Sequence, residues 1–152
     1  MSKFVIYADG GCRGNQSSEN IGGWGALLQY GEHIKELYAG VRNTTNNKME
    51  LTACIKALEA IHGDRYKHVP VEIYVDSAYV CTGMNSWVDG WVKRGWRKAD
   101  KKPVENIDLW KRLLALSLSH DNIKFIKVKG HADNKGNIRA DELANLAMDE
   151  VV

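Results

Sequence analysis

Two aspartates directly follow short apolar runs of the sequence. Asp9 ends the segment FVIYAD, and Asp76 ends the segment VEIYVD. Runs of β-branched and aromatic residues predict strands, and parallel strands commonly present functional groups at their carboxyl ends. If the two strands are neighbours in a sheet, the two carboxylates are brought close together. A pair of carboxylates can hold a divalent cation such as Mg²⁺.

Two further acids stand near the starts of predicted helices, Glu50 in the first long helix and Asp141 in the last. Four carboxylates gathered at one place repel one another and lose hydration. Hard divalent cations with oxygen ligands remove that difficulty. Two such ions about 3.5–4 Å apart can activate water and stabilise a leaving oxygen during phosphodiester hydrolysis.

Each acid also has a simpler interpretation when it is considered alone. Asp76 precedes Ser77 and can cap a helix, and Asp9 in the segment DGG can form a turn. Glu50 and Asp141 can be solvated acids that the helix dipole favours near a helix start. Spacing alone does not decide whether the four side chains converge.

The pattern of apolar residues predicts the elements that must position these acids. Residues 4–8 predict a strand, and residues 12–23, rich in Gly, Asn and Ser, predict a loop. Alternation over residues 24–30 and a second strand near residues 33–41 predict a hairpin. The other periodic segments predict helices at 46–63, 107–118 and 137–151 and strands at 71–75 and 123–128. Strand-helix-strand units favour parallel pairing, so we expect a mixed sheet with helices on both faces.

Composition narrows the class of protein. The chain has 152 residues, of which 44% are hydrophobic, as expected for one packed domain. The net charge of +2 is too small to establish a nucleic-acid partner by itself. The three cysteines lack metal-ligand spacing and predict reduced thiols, and neither a signal peptide nor a membrane span is evident. These features predict a cytoplasmic protein that does not enter a membrane.

Four motifs occur in one order along the chain: YADGGCRGN, TTNNKMEL, YVDSAYV and KGHADNKGNIRADELAN. Together they resemble ribonuclease H of the bacterial type 1 family, and the similarity runs from Phe4 to about Met148. A further segment, WVDGWVKRGWRKADKKPVENIDLWKRL, resembles the basic protrusion of many members. The resemblance implies one catalytic domain over residues 1–152, with the protrusion at about 81–102. It also implies the α/β ribonuclease H-like fold, a mixed five-stranded sheet of three antiparallel and then parallel strands with helices on both faces.

The resemblance also implies an activity and a set of catalytic residues. Family members are Mg²⁺-dependent endonucleases that cut the RNA strand of an RNA–DNA hybrid and leave 3′-hydroxyl and 5′-phosphate ends. Two ions are expected with substrate, and Mn²⁺ is a candidate substitute. Zinc is not implied, because no Cys/His cluster with ligand spacing is present. The implied metal-binding carboxylates are Asp9, Glu50, Asp76 and Asp141.

His131 completes the implied catalytic set. It matches a loop histidine of the family that is thought to assist proton transfer or product release. An imidazole that titrates near neutrality suits such a role. Without the motif, a histidine flanked by glycine would more simply be a surface residue.

Recognition of RNA requires contact with the 2′-hydroxyl, which the family makes from the minor groove. The matching positions are Cys12, Gly14, Asn15, Asn46 and Asn47, and Thr45 beside them is expected to meet a phosphate. Asn and Thr offer both donors and acceptors to such groups. Helix capping is the alternative explanation for the segment TTNN.

The DNA strand is expected to lie in an aromatic-walled channel, to which Tyr79 and Trp87 correspond by resemblance. Trp110, in a helical pattern, is expected to be a core residue instead. Some bacterial relatives carry a polar amide after the DS of the third motif, where this chain has Ala78. We therefore expect altered local groove contacts at Ala78 but no loss of activity.

The segment 91–102 concentrates positive charge, with six Lys or Arg and one acid. Lys93, Arg94, Arg97 and Lys98 are expected to contact phosphates, which would make binding weaken steeply with salt. A solvated helix face is the alternative. The tryptophans interleaved with these charges do not suit that alternative, and we expect some of them to pack the protrusion's own short helix.

Two other functions remain open at the level of sequence. One is a retroelement-type ribonuclease H domain. The start at Met1 and the lack of a fused polymerase favour a stand-alone enzyme over this alternative. The other is a non-catalytic module that binds RNA–DNA hybrids. Retention of all four acids favours catalysis, because clustered carboxylates without metal would repel a phosphate backbone. A monomer is the default expectation.

Overall fold

The computed structural model describes residues 2–14, 19–61, 63–128 and 134–151. The strands are β1 Phe4–Arg13, β2 Ile21–Tyr30, β3 His33–Arg42, β4 Val71–Val75 and β5 Ile123–Lys127. The helices are α1 Asn46–Ala60, α2 Ala78–Thr82, α3 Val88–Lys93, α4 Ile107–Leu118 and α5 Lys135–Glu150. A 3₁₀ turn, Asp64–Tyr66, follows α1, and a π-helical turn, Gly83–Trp87, joins α2 to α3.

One mixed sheet has the strand order β3-β2-β1-β4-β5. The first three strands pair antiparallel, while β4 pairs parallel to β1 and to β5. This topology confirms the predicted fold class, including the hairpin and the parallel strand-helix-strand units. The pairing of Ala8 with Val75 aligns the carboxyl ends of the apolar runs in β1 and β4.

The loop predicted over residues 12–23 is wrong at both ends. β1 continues to Arg13 and β2 begins at Ile21, and the two pair in register from Phe4↔Tyr30 to Arg13↔Ile21. Gly22 and Gly23 lie within the paired strand β2, where neighbouring segments pack directly against the strand backbone. A Cβ built on Gly22 would lie 2.2 Å from Thr44 Cγ2. Glycine at this position therefore marks close packing and not a chain reversal.

Alternation along β1 and β2 separates the two faces of the sheet. Phe4, Ile6 and Ala8 belong to the core on the α1 side, which α1 and α4 complete. On the other face α5 crosses β1, β2 and β3. A Cβ on Gly25 would lie 2.5 Å from the Ala140 carbonyl oxygen, so α5 rests on bare strand backbone. This close approach fixes the height of α5 above the sheet.

A single helical stretch, residues 78–93, follows β4 and includes the π turn between α2 and α3. Within it Gly83 packs under the indole of Trp110, which is fully buried; a Cβ on Gly83 would lie 2.0 Å from Trp110 Cη2. The prediction that Trp110 is a core residue therefore agrees with its position. Over the described ranges, every helix falls short of the length and apolar character that crossing a membrane requires.

Candidate active site

Asp9 and Asp76 lie next to each other at the point where the parallel pairing of β1 with β4 ends. Asp9 follows Ala8 in β1, and Asp76 follows Val75, the partner of Ala8 in β4. Asp9 is 5% exposed although it is ionisable. Burial of a carboxyl group without a charged partner is unfavourable, which makes this strand end a candidate for function.

Glu50 approaches Asp9 because the residue after Asp9 has no side chain. A Cβ built on Gly10 would lie 2.5 Å from the Met49 carbonyl carbon and 2.7 Å from the Glu50 backbone nitrogen. The first turn of α1 can therefore lie against the strand backbone. Glu50 is 9% exposed, so the interpretation of Glu50 as a solvated acid is wrong.

The three carboxylates of Asp9, Glu50 and Asp76 each offer an oxygen, and these oxygens lie within 4.8 Å of one another. Asp141 reaches the cluster from α5, on the other face of the sheet. It lines, with Asp9, a cavity of about 230 Å³. The fold thus gathers all four acids predicted from the motifs, three in one tight group and the fourth beside Asp9.

Crowding changes the acidity of the two most buried members. Burial, the neighbouring charge of Asp76 and a hydrogen bond with Asp141 raise the pKa of Asp9 to about 8. Burial and the charges of Asp9 and Asp76 raise the pKa of Glu50 to about 10. Near neutral pH these carboxyls retain protons unless a positive charge replaces them.

The donor set fits a hard divalent cation. Glu50 Oε2 is buried and has no hydrogen-bond partner among the described residues, so an oxygen ligand is left unsatisfied in this group. The cluster offers carboxylate oxygens only, which suits Mg²⁺ or Mn²⁺ and not Zn²⁺. Cys12 lies nearby, but burial raises the pKa of its thiol, and a neutral thiol is a poor ligand.

The capping alternative for Asp76 does not hold. Ser77 is the N-cap residue of α2, and its Oγ accepts a hydrogen bond from the Val80 backbone N–H at 3.1 Å. At α1, Thr45 has the same role, because its Oγ1 accepts from the Lys48 N–H at 3.1 Å. The cap of α2 is therefore Ser77, and the Asp76 carboxylate lies in the cluster with Asp9 and Glu50. Thr45 has a structural function besides any contact with a phosphate.

The raised pKa values predict that metal binding displaces protons. Because the pKa of Asp9 is about 8, its proton competes with a cation at pH 6 and much less above pH 8. Apparent Mg²⁺ affinity should tighten as pH rises from 6 to 8, by up to about tenfold per unit for each proton released. Calorimetric titration in two buffers of different ionisation enthalpy measures this release. Equal affinity at pH 6 and pH 8 would contradict the prediction.

The residues expected to read the RNA strand border this cluster in part. Cys12 and Asn46 line the same cavity as Asp9 and Asp141. Gly14 and Asn47 are exposed nearby in sequence, Gly14 with φ of +77°. Asn15 and His131 lie outside the described residues.

Tyr79 and Trp87, expected to form an aromatic channel, line a second cavity of about 350 Å³ together with Trp91 and Lys98. Trp87 is 39% exposed, whereas Trp91 is buried. The Tyr79 hydroxyl accepts hydrogen bonds from Trp110 Nε1 at 3.0 Å and from Asn106 Nδ2 at 3.2 Å. These bonds hold the Tyr79 ring in place at the wall of the cavity. Ala78, which opens α2, is exposed.

The aromatic rings form a continuous series from the core into the protrusion. Centroids of neighbouring rings lie 5.2 Å apart for Trp91 and Trp110, 5.7 Å for Trp87 and Trp91, and 6.3 Å for Trp91 and Trp96. Such tilted and edge-on pairs add to the stability gained from burial. Tryptophans of the protrusion thus pack its short helix, α3, as expected.

The four basic residues assigned to phosphates differ in their surroundings. Arg94 Nε donates to the Arg97 carbonyl at 3.0 Å, and Arg97 Nη1 donates to the Lys101 carbonyl at 3.2 Å. The two arginines therefore stabilise the turn that follows α3. Lys93 is exposed, and Lys98 lines the aromatic cavity. Of the four, Lys98 is the one that lines that cavity.

Sequence reasoning missed two residues at the carboxylate cluster, Arg13 and Asn145. Both line the cavity with Asp9 and Asp141. Arg13 was assigned to a loop, and Asn145 was one polar residue among several on a helix. The spacing of Asn145 four residues after Asp141, which places the two side chains on one helix face, is the signal that could have found it.

Known proteins are similar to this chain in sequence and in architecture. Residues 1–149 match the family model of RNase H. The chain is 51% identical over 151 residues to a ribonuclease H of Ruthia magnifica subsp. Calyptogena magnifica, with 99% of each chain covered. It is 49% identical over 151 residues to a ribonuclease H of Clostridium botulinum strain Hall, covering 99% of this chain and 98% of that one.

Solved structures with the same fold include LC9-RNase H1 and LC11-RNase H1. LC9-RNase H1, a type 1 enzyme with the type 2 active-site motif, superposes with a TM-score of 0.80 at 33% identity, covering 98% of this chain and 73% of that chain. LC11-RNase H1, solved in complex with an RNA/DNA hybrid, superposes with a TM-score of 0.73 at 28% identity, covering 97% and 98%.

Proposed function

The chain belongs to the RNase H family of endoribonucleases, and from this premise we propose that it hydrolyses the RNA strand of RNA–DNA hybrids. The observation that carries the proposal is the group of Asp9, Glu50 and Asp76, whose oxygens lie within 4.8 Å of one another, with Asp141 beside Asp9. Structural similarity to LC11-RNase H1, which was solved with an RNA/DNA hybrid, supports the choice of substrate.

The four carboxylates are the residues that would hold Mg²⁺, two ions being expected with substrate and Mn²⁺ being a candidate substitute. When bound, the ions supply positive charge that acidifies the attacking water and stabilises the leaving oxygen. Asp9 and Glu50 would give up their protons when the ions bind, because the pKa values of both carboxyl groups are raised without metal.

The proposed reaction is the attack of water on the phosphorus of an RNA linkage. The bond from phosphorus to the 3′-oxygen breaks, the 3′-oxygen takes up a proton, and the products carry 3′-hydroxyl and 5′-phosphate ends. His131 is proposed to assist either this proton transfer or the release of product. An imidazole, which titrates near neutrality, suits such a role. It lies outside the described residues, so its role rests on the sequence motif.

Discrimination of RNA from DNA requires contact with the 2′-hydroxyl near the reacting phosphate. We assign this contact to Cys12, Gly14, Asn15, Asn46 and Asn47, with Thr45 beside a phosphate. Support comes from the cavity that Cys12 and Asn46 share with Asp9. The DNA strand is assigned to the cavity of Tyr79 and Trp87, whose rings can stack on sugars or bases.

A cleavage assay tests the proposal. The protein is incubated with labelled RNA–DNA hybrid, double-stranded RNA and double-stranded DNA, with Mg²⁺ and with EDTA. Cutting of the hybrid RNA alone, in Mg²⁺ alone, is the expected result. End-group analysis should give 3′-hydroxyl and 5′-phosphate termini. Binding of the hybrid without cutting would favour a non-catalytic module, and equal cutting of double-stranded RNA would overturn the assigned specificity.

The lysines of the protrusion should contribute to hybrid binding through phosphates. Replacing Lys93 and Lys98 with Gln should weaken binding and reduce the slope of log affinity against log salt by about one per lysine that meets a phosphate. Thermal stability should stay unchanged, because neither side chain supports the backbone as Arg94 and Arg97 do. Fluorescence anisotropy over a salt series measures the slope.

Lys56 provides a matched control for this experiment. It is exposed on α1, outside the basic segment 91–102, and pairs with Glu59 at 3.5 Å. Lys56→Gln should leave the salt slope unchanged. An unaltered slope in the double variant of Lys93 and Lys98 would count against contacts between the protrusion and phosphate.

A further inference from the structure

Arg13 links the end of β1 to α5 at the edge of the carboxylate cluster. Its Nη1 donates to Asp149 Oδ1 at 2.5 Å, and its Nη2 donates to Asn145 Oδ1 at 2.8 Å and to the Asn145 carbonyl at 3.4 Å. A guanidinium carries only donors, so it fixes which side of the Asn145 amide faces it. The NH₂ group of Asn145 therefore points away from Arg13.

The NH₂ group of Asn145 is directed at Asp141. Asn145 Nδ2 donates to the Asp141 carbonyl oxygen at 2.9 Å and lies 3.4 Å from Asp141 Oδ2. Both residues and Arg13 line the cavity that contains Asp9. With its amide turned the other way, Asn145 would present an oxygen to the Asp141 carboxylate and repel it.

We propose that Arg13 and Asn145 are positioning residues, which act together to hold the Asp141 carboxylate toward the metal site. The inference rests on the proposed function, because it assigns a role to groups around the proposed Mg²⁺ ligands. Hydrogen bonds to a ligating carboxylate orient it and reduce the cost of ordering it when a cation binds. Arg13 acts through Asn145, and Asn145 acts through Asp141.

Metal affinity of the protein without substrate tests the pair, since Arg13 also lies close to residues assigned to RNA. Binding of Mn²⁺ alone is followed by the electron paramagnetic resonance signal of the free ion. Asn145→Leu keeps the branched shape of the side chain and removes the hydrogen bonds of its amide, and it should weaken Mn²⁺ binding by about tenfold. Arg13→Leu should weaken binding by about threefold, and the double variant should bind no more weakly than Asn145→Leu.

The direction in which Arg13→Leu changes Mn²⁺ affinity distinguishes a positioning role of Arg13 from a purely electrostatic effect of its charge. Removal of a positive charge near carboxylates would by itself tighten cation binding. Weaker binding in Arg13→Leu therefore requires that the Arg13 hydrogen bonds matter. In cleavage assays the Mg²⁺ concentration at half-maximal activity should rise in both variants, while kcat at saturating Mg²⁺ changes less.

Arg139 supplies a matched control. It also ties α5 to the sheet, through Glu36 in β3 at 2.5 Å, and its side chain is 42% exposed against 46% for Arg13. Arg139→Leu should leave Mn²⁺ affinity unchanged. Asn145→Ala is the second variant if Asn145→Leu alters the circular dichroism spectrum.

Two results would overturn the inference. One is Mn²⁺ affinity in the Asn145 variants equal to or tighter than in the parent, and the other is additive effects of Arg13→Leu and Asn145→Leu. Failure of the parent protein to bind Mn²⁺ and to cleave hybrid would overturn the proposed function and this inference together. A parent that does both, with unaffected variants, overturns the inference alone.

Discussion

Asp9→Asn should reduce hybrid cleavage by about a thousandfold or more, equivalent to about 4 kcal/mol of transition-state stabilisation, while the fold is retained. The amide has nearly the volume of the carboxyl group, so packing around this buried residue changes little. It cannot ionise, however, and a neutral oxygen is a weaker ligand for a hard cation. Single-turnover cleavage in saturating Mg²⁺, with a structural check by circular dichroism, measures the loss.

The same substitution should stabilise the protein in the absence of metal. The folded-state pKa of Asp9 is about 8, above the unfolded value, so the folded protein holds this proton more tightly. Stability is therefore lost from the parent as pH rises from about 4 through 8. Asn cannot ionise, so Asp9→Asn does not lose stability in this way. At pH 8 its free energy of unfolding should exceed that of the parent by about 1–4 kcal/mol, and at pH 4 the two values should be nearly equal.

An exposed aspartate serves as the control for both measurements. Asp64 lies in the 3₁₀ turn that precedes β4, whereas Asp76 follows the other end of that strand. Asp64→Asn should alter neither cleavage nor the dependence of stability on pH. Substantial cleavage by Asp9→Asn, or an Asp9→Asn variant less stable than the parent at pH 8 in EDTA, would contradict the assignment of Asp9.

Gly10→Ala should lower both stability and cleavage, although it adds only one methyl group. The new Cβ would lie 2.5 Å from the Met49 carbonyl carbon and 2.7 Å from Met49 Cβ, so α1 must move away from β1. Overpacking against backbone should cost about 3 kcal/mol of unfolding free energy. The shift also separates Glu50 from Asp9, and misplacement by about 1 Å can lower activity by about a hundredfold.

The neighbouring glycine allows a close comparison. A Cβ on Gly11 meets only Met148 Cε, at 3.9 Å, which is an ordinary contact. Gly11→Ala should therefore change the free energy of unfolding by less than about 1 kcal/mol. Urea denaturation of the two variants, with cleavage assays in parallel, compares them. Equal stability of the two variants would show that α1 does not need the close approach at Gly10.

Sequence patterns were sufficient to predict a mixed sheet with a hairpin and parallel strand-helix-strand units, because these follow from element type and connection. They left open whether Asp9 and Asp76 are neighbours, and the convergence of the four acids was an expectation from the family resemblance. They could not predict the burial of Glu50. That burial depends on Gly10, and a glycine after an aspartate equally indicates a turn. The same ambiguity produced the wrong loop over residues 12–23, where the glycines of β2 accommodate α5 and the start of α1.

Side-chain roles were less predictable than positions along the chain. The charges of Arg94 and Arg97 predicted contacts with phosphates. Their hydrogen bonds to main-chain carbonyls form only in the folded turn after α3, so the sequence could not predict them. Arg13 and Asn145 are distant in sequence and meet only when α5 crosses β1. Contacts of this kind depend on tertiary packing, which local periodicity does not encode.

The aromatic series in the protrusion determines what intrinsic fluorescence can report. Of the five tryptophans, Trp87, Trp91, Trp96 and Trp110 lie in this series, and only Trp24 lies elsewhere. Emission from this protein therefore follows the protrusion and the adjoining core far more than the carboxylate cluster. An unfolding curve recorded by fluorescence describes the whole fold only if far-ultraviolet circular dichroism gives the same transition.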